Sequence, residues 1–178
     1  MKLAFVGPPA VGKDTVSNYI EQKYRLVHIS SGDIVRQEHN LGELDRKNLQ
    51  IIANKLRSEK GGDILVRMAF EKAPDNLILS GLRAIDEIVT FKKLGGIVIV
   101  ITAPLENRYE FAKIRGRIGD DISIEAFKEI EKGEQINIDR NGQNVDKVIS
   151  MADIEIVNDG TLDDLYRKCD EVIEKLKK

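Results

Sequence analysis

Five short runs rich in Val, Ile and Leu, at residues 3–6, 26–29, 77–79, 97–101 and 154–157, alternate with longer segments whose apolar residues recur at helical spacing. That alternation predicts βα units wrapped around a parallel sheet. The clearest helical stretch places Leu49, Ile52, Ala53 and Leu56 at i, i+3, i+4 and i+7 behind the capping candidate Asp45. Gly61-Gly62-Asp63 then separates it from a second helix over residues 64–72. Thr161, followed by Asp163 and Asp164, opens a final helix carrying Leu165, Val172 and Leu176, and acids near a helix start suit its dipole. There is no internal repeat; residues 137–144, with three Asn and a Gly but no period, read as a mobile loop.

A length of 178 residues predicts a single domain, and 42% hydrophobic residues supply a packed core rather than a disordered chain. The near balance of 28 basic against 30 acidic residues argues against a footprint for nucleic acid, which requires a basic surplus. Cys169 is the only cysteine, which excludes an intramolecular disulfide and a Cys/His metal cage. The opening apolar run stops at Gly7-Pro8-Pro9, too short for a signal peptide, and no segment approaches a membrane span. A soluble, cytoplasmic protein without a membrane partner is expected, as a monomer or small homo-oligomer.

The most informative stretch is Gly7-Pro8-Pro9-Ala10-Val11-Gly12-Lys13, which follows a strand-like run and precedes a helical segment over residues 15–20. Glycines at this junction let backbone N–H groups converge on phosphate oxygens at a helix N-terminus, where Lys13 adds a point charge. A bare Gly/Pro turn leaves the lysine unexplained. A Ser or Thr ordinarily follows the lysine to meet Mg²⁺; here Asp14 occupies that position and Thr15 comes one later. Both are candidate metal ligands, directly or through water.

These residues resemble the phosphate loop of the nucleoside monophosphate kinases, above all adenylate kinase, whose loop runs G-x-P-G-x-G-K-G-T. Gly7, Pro9, Gly12, Lys13 and Thr15 match, while Ala10 and Asp14 replace glycines. The Lys-Asp-Thr-Val order at residues 13–16 is also similar to phage-type deoxynucleotide monophosphate kinases. The resemblance implies ATP and Mg²⁺ as cofactors, and a loop binding nucleotide through Gly7, Pro8, Pro9, Ala10, Val11, Gly12, Lys13, Asp14 and Thr15.

Further matches follow the strands. Ser31-Gly32-Asp33-Ile34-Val35-Arg36 is similar to the adenylate kinase segment in which an arginine grips the acceptor's phosphate, a task suited to a bidentate guanidinium. The alternative is a capped helix start, with Ser31 or Asp33 bonding backbone N–H groups. Ser80-Gly81-Leu82-Arg83 resembles the D-G-F-P-R of adenylate kinase, with Ser80 in place of the acid, and makes Arg83 a phosphate-ligand candidate. Beyond a helix bearing Arg108, the turn with Arg115, Gly116 and Arg117, followed by Asp120 and Asp121, looks like a short lid. Its two arginines would close over the phosphates, or form an exposed salt-bridged turn. In the broader kinase family the turn after strand five lies against the donor base, which makes residues 158–161, with Asn158 and Gly160, candidates for base contact; a simple helix cap fits Asp159 and Thr161 equally. His28 reads as packed rather than catalytic, and Cys169 as a small core filler.

As a whole the chain resembles a group of small, mainly archaeal P-loop proteins related to adenylate kinase and dephospho-CoA kinase. The resemblance runs nearly end to end and includes Ala152-Asp153 and Asn158-Asp159-Gly160 before the last helix. It implies a three-layer α/β/α P-loop fold like that of the nucleoside monophosphate kinases. The sheet is expected to have five parallel strands in the order 2-3-1-4-5, with an acceptor flap over about residues 36–72 and a lid over about 112–125. The leading expectation is ATP-dependent phosphoryl transfer to a nucleoside monophosphate, with Lys13, Asp33, Arg36, Arg83, Arg115 and Arg117 in the catalytic set. One alternative is phosphorylation of the ribose 3′-hydroxyl of dephospho-CoA, where Asp33 would act as a base. The other is an ATPase or regulatory module without a small-molecule acceptor.

Overall fold

The computed structural model describes residues 1–38, 46–116, 122–135 and 145–177. Five parallel strands, β1 (Lys2–Val6), β2 (Val27–Ser30), β3 (Leu77–Ser80), β4 (Ile97–Thr102) and β5 (Ile154–Val157), form one sheet in the order β2-β3-β1-β4-β5. This is the expected order. β2 runs one residue later than the apolar pattern suggested because Val27 pairs with Leu77 and Ser30 with Ser80, carrying the ladder to the polar end of the strand.

Side-chain alternation along the central strands explains why helices cover both faces. Ala4, Val6, Leu77, Leu79, Val98 and Val100 join one buried cluster, whereas Leu3, Phe5, Ile78, Ile99 and Ile101 join the other. The first face is covered by α2 (Ser31–Glu38), α3 (Arg46–Lys60), α4 (Ile64–Lys72), α5 (Ile85–Lys93) and α8 (Val145–Ser150). The second is covered by α1 (Lys13–Tyr24) and α9 (Leu162–Leu176). Two further helices, α6 (Leu105–Arg115) and α7 (Ile124–Gln135), follow β4.

The helical stripe read from the sequence is real: Leu49, Ile52 and Ala53 pack on the first cluster and Leu56 is buried in it. Gly61-Gly62-Asp63 breaks α3 from α4 at the expected place, whereas the capping candidate Asp45 lies outside the described residues. Cys169 is buried in α9, and burial pushes its thiol pKa up to about 12. No helix among the described residues is long and apolar enough to cross a membrane.

Candidate active site

β1 and the start of α1 build the phosphate loop. Gly7 has φ +140°, and a Cβ there would lie 2.2 Å from the Ile101 carbonyl oxygen of β4, so no side chain fits. Ala10 also adopts a left-handed φ of 57°, a conformation that costs an L-residue about 1–2 kcal/mol. Val11 is fully buried and anchors the loop in the core. Gly12 accepts the Val16 N–H at 3.0 Å, starting the α1 ladder and leaving the earlier N–H groups of the helix to be satisfied from outside it. Lys13 curls back over the loop, donating through Nζ to the carbonyls of Gly7 (3.0 Å) and Pro8 (2.6 Å).

The same lysine borders a cavity with Gly7, Pro9, Gly81, Leu82 and Arg83, against Phe5 and Val148. The structure thus brings Lys13 of the phosphate loop and Arg83 of the expected acceptor side to one cavity. Beside it Ser80 is 3% exposed and its Oγ lies 2.9 Å from His28 Nε2. His28 is therefore half-buried and a hydrogen-bonding partner of the last residue of β3.

Between β2 and α2 the capping pattern differs from the sequence expectation. Ser30, rather than Ser31 or Asp33, accepts a backbone N–H, that of Asp33 at 3.0 Å. Ser31 Oγ instead donates to the Gly81 carbonyl at 2.8 Å, tying α2 to the turn after β3. Arg36 Nη1 and Asp33 Oδ1 form an ion pair at 2.8 Å, with side chains 35% and 59% exposed. A pair that open to water is worth little and exchanges readily for a stronger anion.

At the opposite edge of the sheet, just past β5, Asn158 is buried and its Nδ2 donates to the Val11 carbonyl at 3.1 Å. Its amide braces the phosphate loop from behind. Thr161 caps α9 by accepting the Asp164 N–H at 3.2 Å, and Asp164 Oδ2 accepts the Thr161 N–H in return. Hydrogen bonds from Thr161 hold the Asp164 carboxyl below its usual pKa, and Lys168, 2.6 Å from Asp159, does the same for Asp159. Gly160 lies against Asp164, where a Cβ would come within 2.9 Å of the carboxylate.

Arg115 ends α6 and is exposed, followed by a left-handed Gly116. Arg117, Asp120, Asp121 and residues 137–144 lie outside the described residues. Half-buried Arg108, on the first turns of α6, donates through Nε to the Ala103 carbonyl at 3.1 Å, and burial lowers its guanidinium pKa. One further feature is signalled by no motif: a buried ion pair between Arg57 and Glu87, 30 residues apart in the chain.

A family described as "AAA domain" matches residues 6–128. A UPF0200 protein of Thermococcus onnurineus is 30% identical over 99% of this chain and 98% of its own length.

The chain belongs to the UPF0200 family.

A UPF0200/UPF0201 protein of Archaeoglobus fulgidus is 32% identical over 99% of the chain, which spans only 56% of that relative. Among solved structures, the shikimate kinase of Bacteroides thetaiotaomicron superposes with a TM-score of 0.67 at 12% identity, covering 100% of this chain and 99% of that one. The dephospho-CoA kinase of Campylobacter jejuni superposes with a TM-score of 0.55 at 21% identity, covering 99% and 98%. At such identities the likeness is one of fold. This UPF0200 chain has the fold of the small P-loop kinases.

Proposed function

We propose that this UPF0200 protein is an ATP-dependent kinase that phosphorylates a nucleoside monophosphate. The observation that carries the reading is the cavity lined by both Lys13 and Arg83, one basic residue from the phosphate loop and one from the turn after β3. Phosphoryl transfer makes little covalent demand on a protein, so positioning and positive charge supply most of the catalysis.

In this reading the backbone N–H groups of residues 10–15, past the two prolines that have none to give, cradle the donor phosphates, and Lys13 exchanges its loop carbonyls for phosphate oxygens. Arg36 leaves Asp33 for the acceptor phosphate, which Arg83 grips from the other side. Arg115 and Arg117 close over the transferred group and exclude water. Asn158 and Gly160 shape the turn next to the donor nucleotide.

Magnesium is the metal such chemistry implies, and the start of α1 offers suitable donors. The Asp14 carboxylate and Thr15 hydroxyl are hard oxygen ligands on exposed residues, and Mg²⁺ is usually held by one or two carboxylates together with substrate phosphates and water. Ser80, at the end of β3, is already engaged by His28. Asp14 and Thr15 would hold Mg²⁺ at the start of α1, and the ion would supply charge neutralisation to the phosphates.

A second reading, transfer to the 3′-hydroxyl of dephospho-CoA, is favoured by the exposed Asp33 carboxylate on the first turn of α2. A hydroxyl acceptor must lose a proton and benefits from such a base, whereas a monophosphate is already ionised. The test is a panel of AMP, CMP, dCMP, dTMP and dephospho-CoA with Mg-ATP. One acceptor should be phosphorylated well above background ATP hydrolysis, and transfer to none of them sinks both kinase readings. Asp33→Asn should abolish transfer to a hydroxyl and largely spare transfer to a monophosphate. An ATPase rate that responds to a protein partner rather than to an acceptor would point instead to a regulatory module.

A further inference from the structure

Glu87, in the first turn of α5, is fully buried, and its carboxylate is shared between two parts of the molecule. Oε2 accepts the backbone N–H groups of Arg83 at 2.8 Å and Ala84 at 3.0 Å. Oε1 accepts Arg57 Nε at 2.9 Å and Nη2 at 2.8 Å. Arg57 is itself 3% exposed, and its Nη1 donates to Asn54 at 3.0 Å. The pair therefore runs from α3, in the expected acceptor flap, to the backbone of Arg83, a residue that borders the cavity.

Two neighbouring contacts stitch the same helices together. Thr90 Oγ1 donates to Asp63 Oδ2 at 3.0 Å, and Gly62 lies so close to α5 that a Cβ there would come within 2.4 Å of Asp86 Oδ2. The end of α3 and the start of α4 are thus fixed against α5.

Capping alone does not require a buried cation, since Asp164 caps the start of α9 from a partly exposed position. Nor is a buried ion pair an efficient stabiliser, because desolvating two charges offsets most of their attraction and apolar residues often serve as well. What an arginine–carboxylate pair provides is direction: the planar guanidinium fixes the relative orientation of the two segments it joins.

We propose that Arg57 and Glu87 are a positioning pair that couples the acceptor flap to the Leu82–Arg83 turn, so that acceptor docking and the placement of Arg83 are one event. The inference rests on the kinase reading in assigning Arg83 to the acceptor. Neither residue touches substrate; both act through the Arg83 backbone.

The test compares the wild-type chain with Arg57→Lys and with the double variant Arg57→Met/Glu87→Gln, which removes both charges and leaves no buried ion unpaired. Titrations with Mg-ATP, AMP and dephospho-CoA are combined with amide hydrogen exchange. In the double variant, affinity for whichever acceptor the wild type binds should fall at least tenfold while Mg-ATP affinity stays within twofold. The Arg83 and Ala84 amides should exchange at least tenfold faster, with those of β1 and β3 unchanged. Arg57→Lys, which keeps the charge and loses the fork, should fall between the two. Parallel loss of both affinities, or exchange rising across the whole sheet, would make the pair merely structural and overturn the proposal. If the double variant does not fold, unchanged acceptor affinity and unchanged exchange at residues 83 and 84 in Arg57→Lys overturn it equally. If the wild type binds neither AMP nor dephospho-CoA, the titration is run with CMP, dCMP and dTMP; if it binds none of the five, the kinase reading fails, while amide exchange still decides whether the pair holds the turn.

Discussion

Asn158 and Val11, 147 residues apart, are joined by a 3.1 Å hydrogen bond from a buried side-chain amide to a phosphate-loop carbonyl. The turn after the last strand thereby supports the loop after the first. Asn158→Ala would leave the Val11 carbonyl unpaired in a buried setting, which costs about 1–3 kcal/mol. Nucleotide affinity should fall by about tenfold or more, and Asn158→Asp, which cannot donate, should behave likewise. Calorimetric titration with Mg-ATP checks both, and unchanged affinity would show that the loop holds its shape without the brace.

Gly7 and Ala10 predict opposite responses within one loop. Gly7→Ala meets both a φ of +140° and the Ile101 carbonyl at 2.2 Å, so it should lower stability by about 1–3 kcal/mol or more and weaken ATP binding. Ala10→Gly relieves a left-handed φ of 57° but adds freedom to the unfolded chain, so the net change should lie within about 1 kcal/mol of zero, with ATP binding retained. Thermal melts with and without nucleotide separate the two.

Lys13→Met removes the ammonium held over the loop carbonyls. A point charge aimed at developing negative charge is worth about 10²–10³ in rate. Phosphoryl transfer should drop by that order while the melting temperature stays near wild type. A variant of undiminished activity would remove the lysine from catalysis.

If the proposed lid is correct, Arg117→Ala should lower phosphoryl transfer far more than ATP affinity, because a lid arginine acts on the transferred group rather than on the resting nucleotide. Single-turnover kinetics beside nucleotide titration give the comparison, and equal activity would return this arginine to an exposed turn.

Far from the cavity, Asp170 fastens α9 to α1. Burial pushes its carboxyl pKa up, but hydrogen bonds from Lys23, Tyr24 and Tyr19 outweigh that and leave it below the ordinary 3.8. A carboxylate with a depressed folded-state pKa contributes stability that is present above its unfolded value and lost as pH falls through the folded one. Asp170→Asn should therefore lower the urea midpoint at pH 7, and the gap from wild type should close as pH falls below about 4. A gap that persists at low pH would mean the contribution is packing, such as the Tyr19–Tyr166 stack at 3.9 Å.

The strands and the phosphate loop were legible because their signals are local. Leu3, Ala4, Phe5 and Val6 are all buried and alternate between the two clusters as the pleat dictates, and the loop is a contiguous run in which Gly7 and Gly12 are set by backbone geometry. The capping around α2 was less legible, since Ser30, Ser31 and Asp33 are adjacent hydroxyl and carboxyl groups with similar short-range options. Ser31 turned to the Gly81 carbonyl because β3 brings that carbonyl beside it. Asn158 read as a base-contact candidate, and no local pattern shows that its amide reaches Val11.

The order of residue types along the chain was enough to determine a parallel α/β fold with a phosphate loop, because periodicity and turn chemistry act within a few residues. Only the tertiary structure decided that Lys13 and Arg83 share a cavity, that Asn158 braces Val11, and that Arg57 reaches Glu87. Such contacts join segments dozens of residues apart, and their geometry exists only after the sheet has set the ends of its strands side by side.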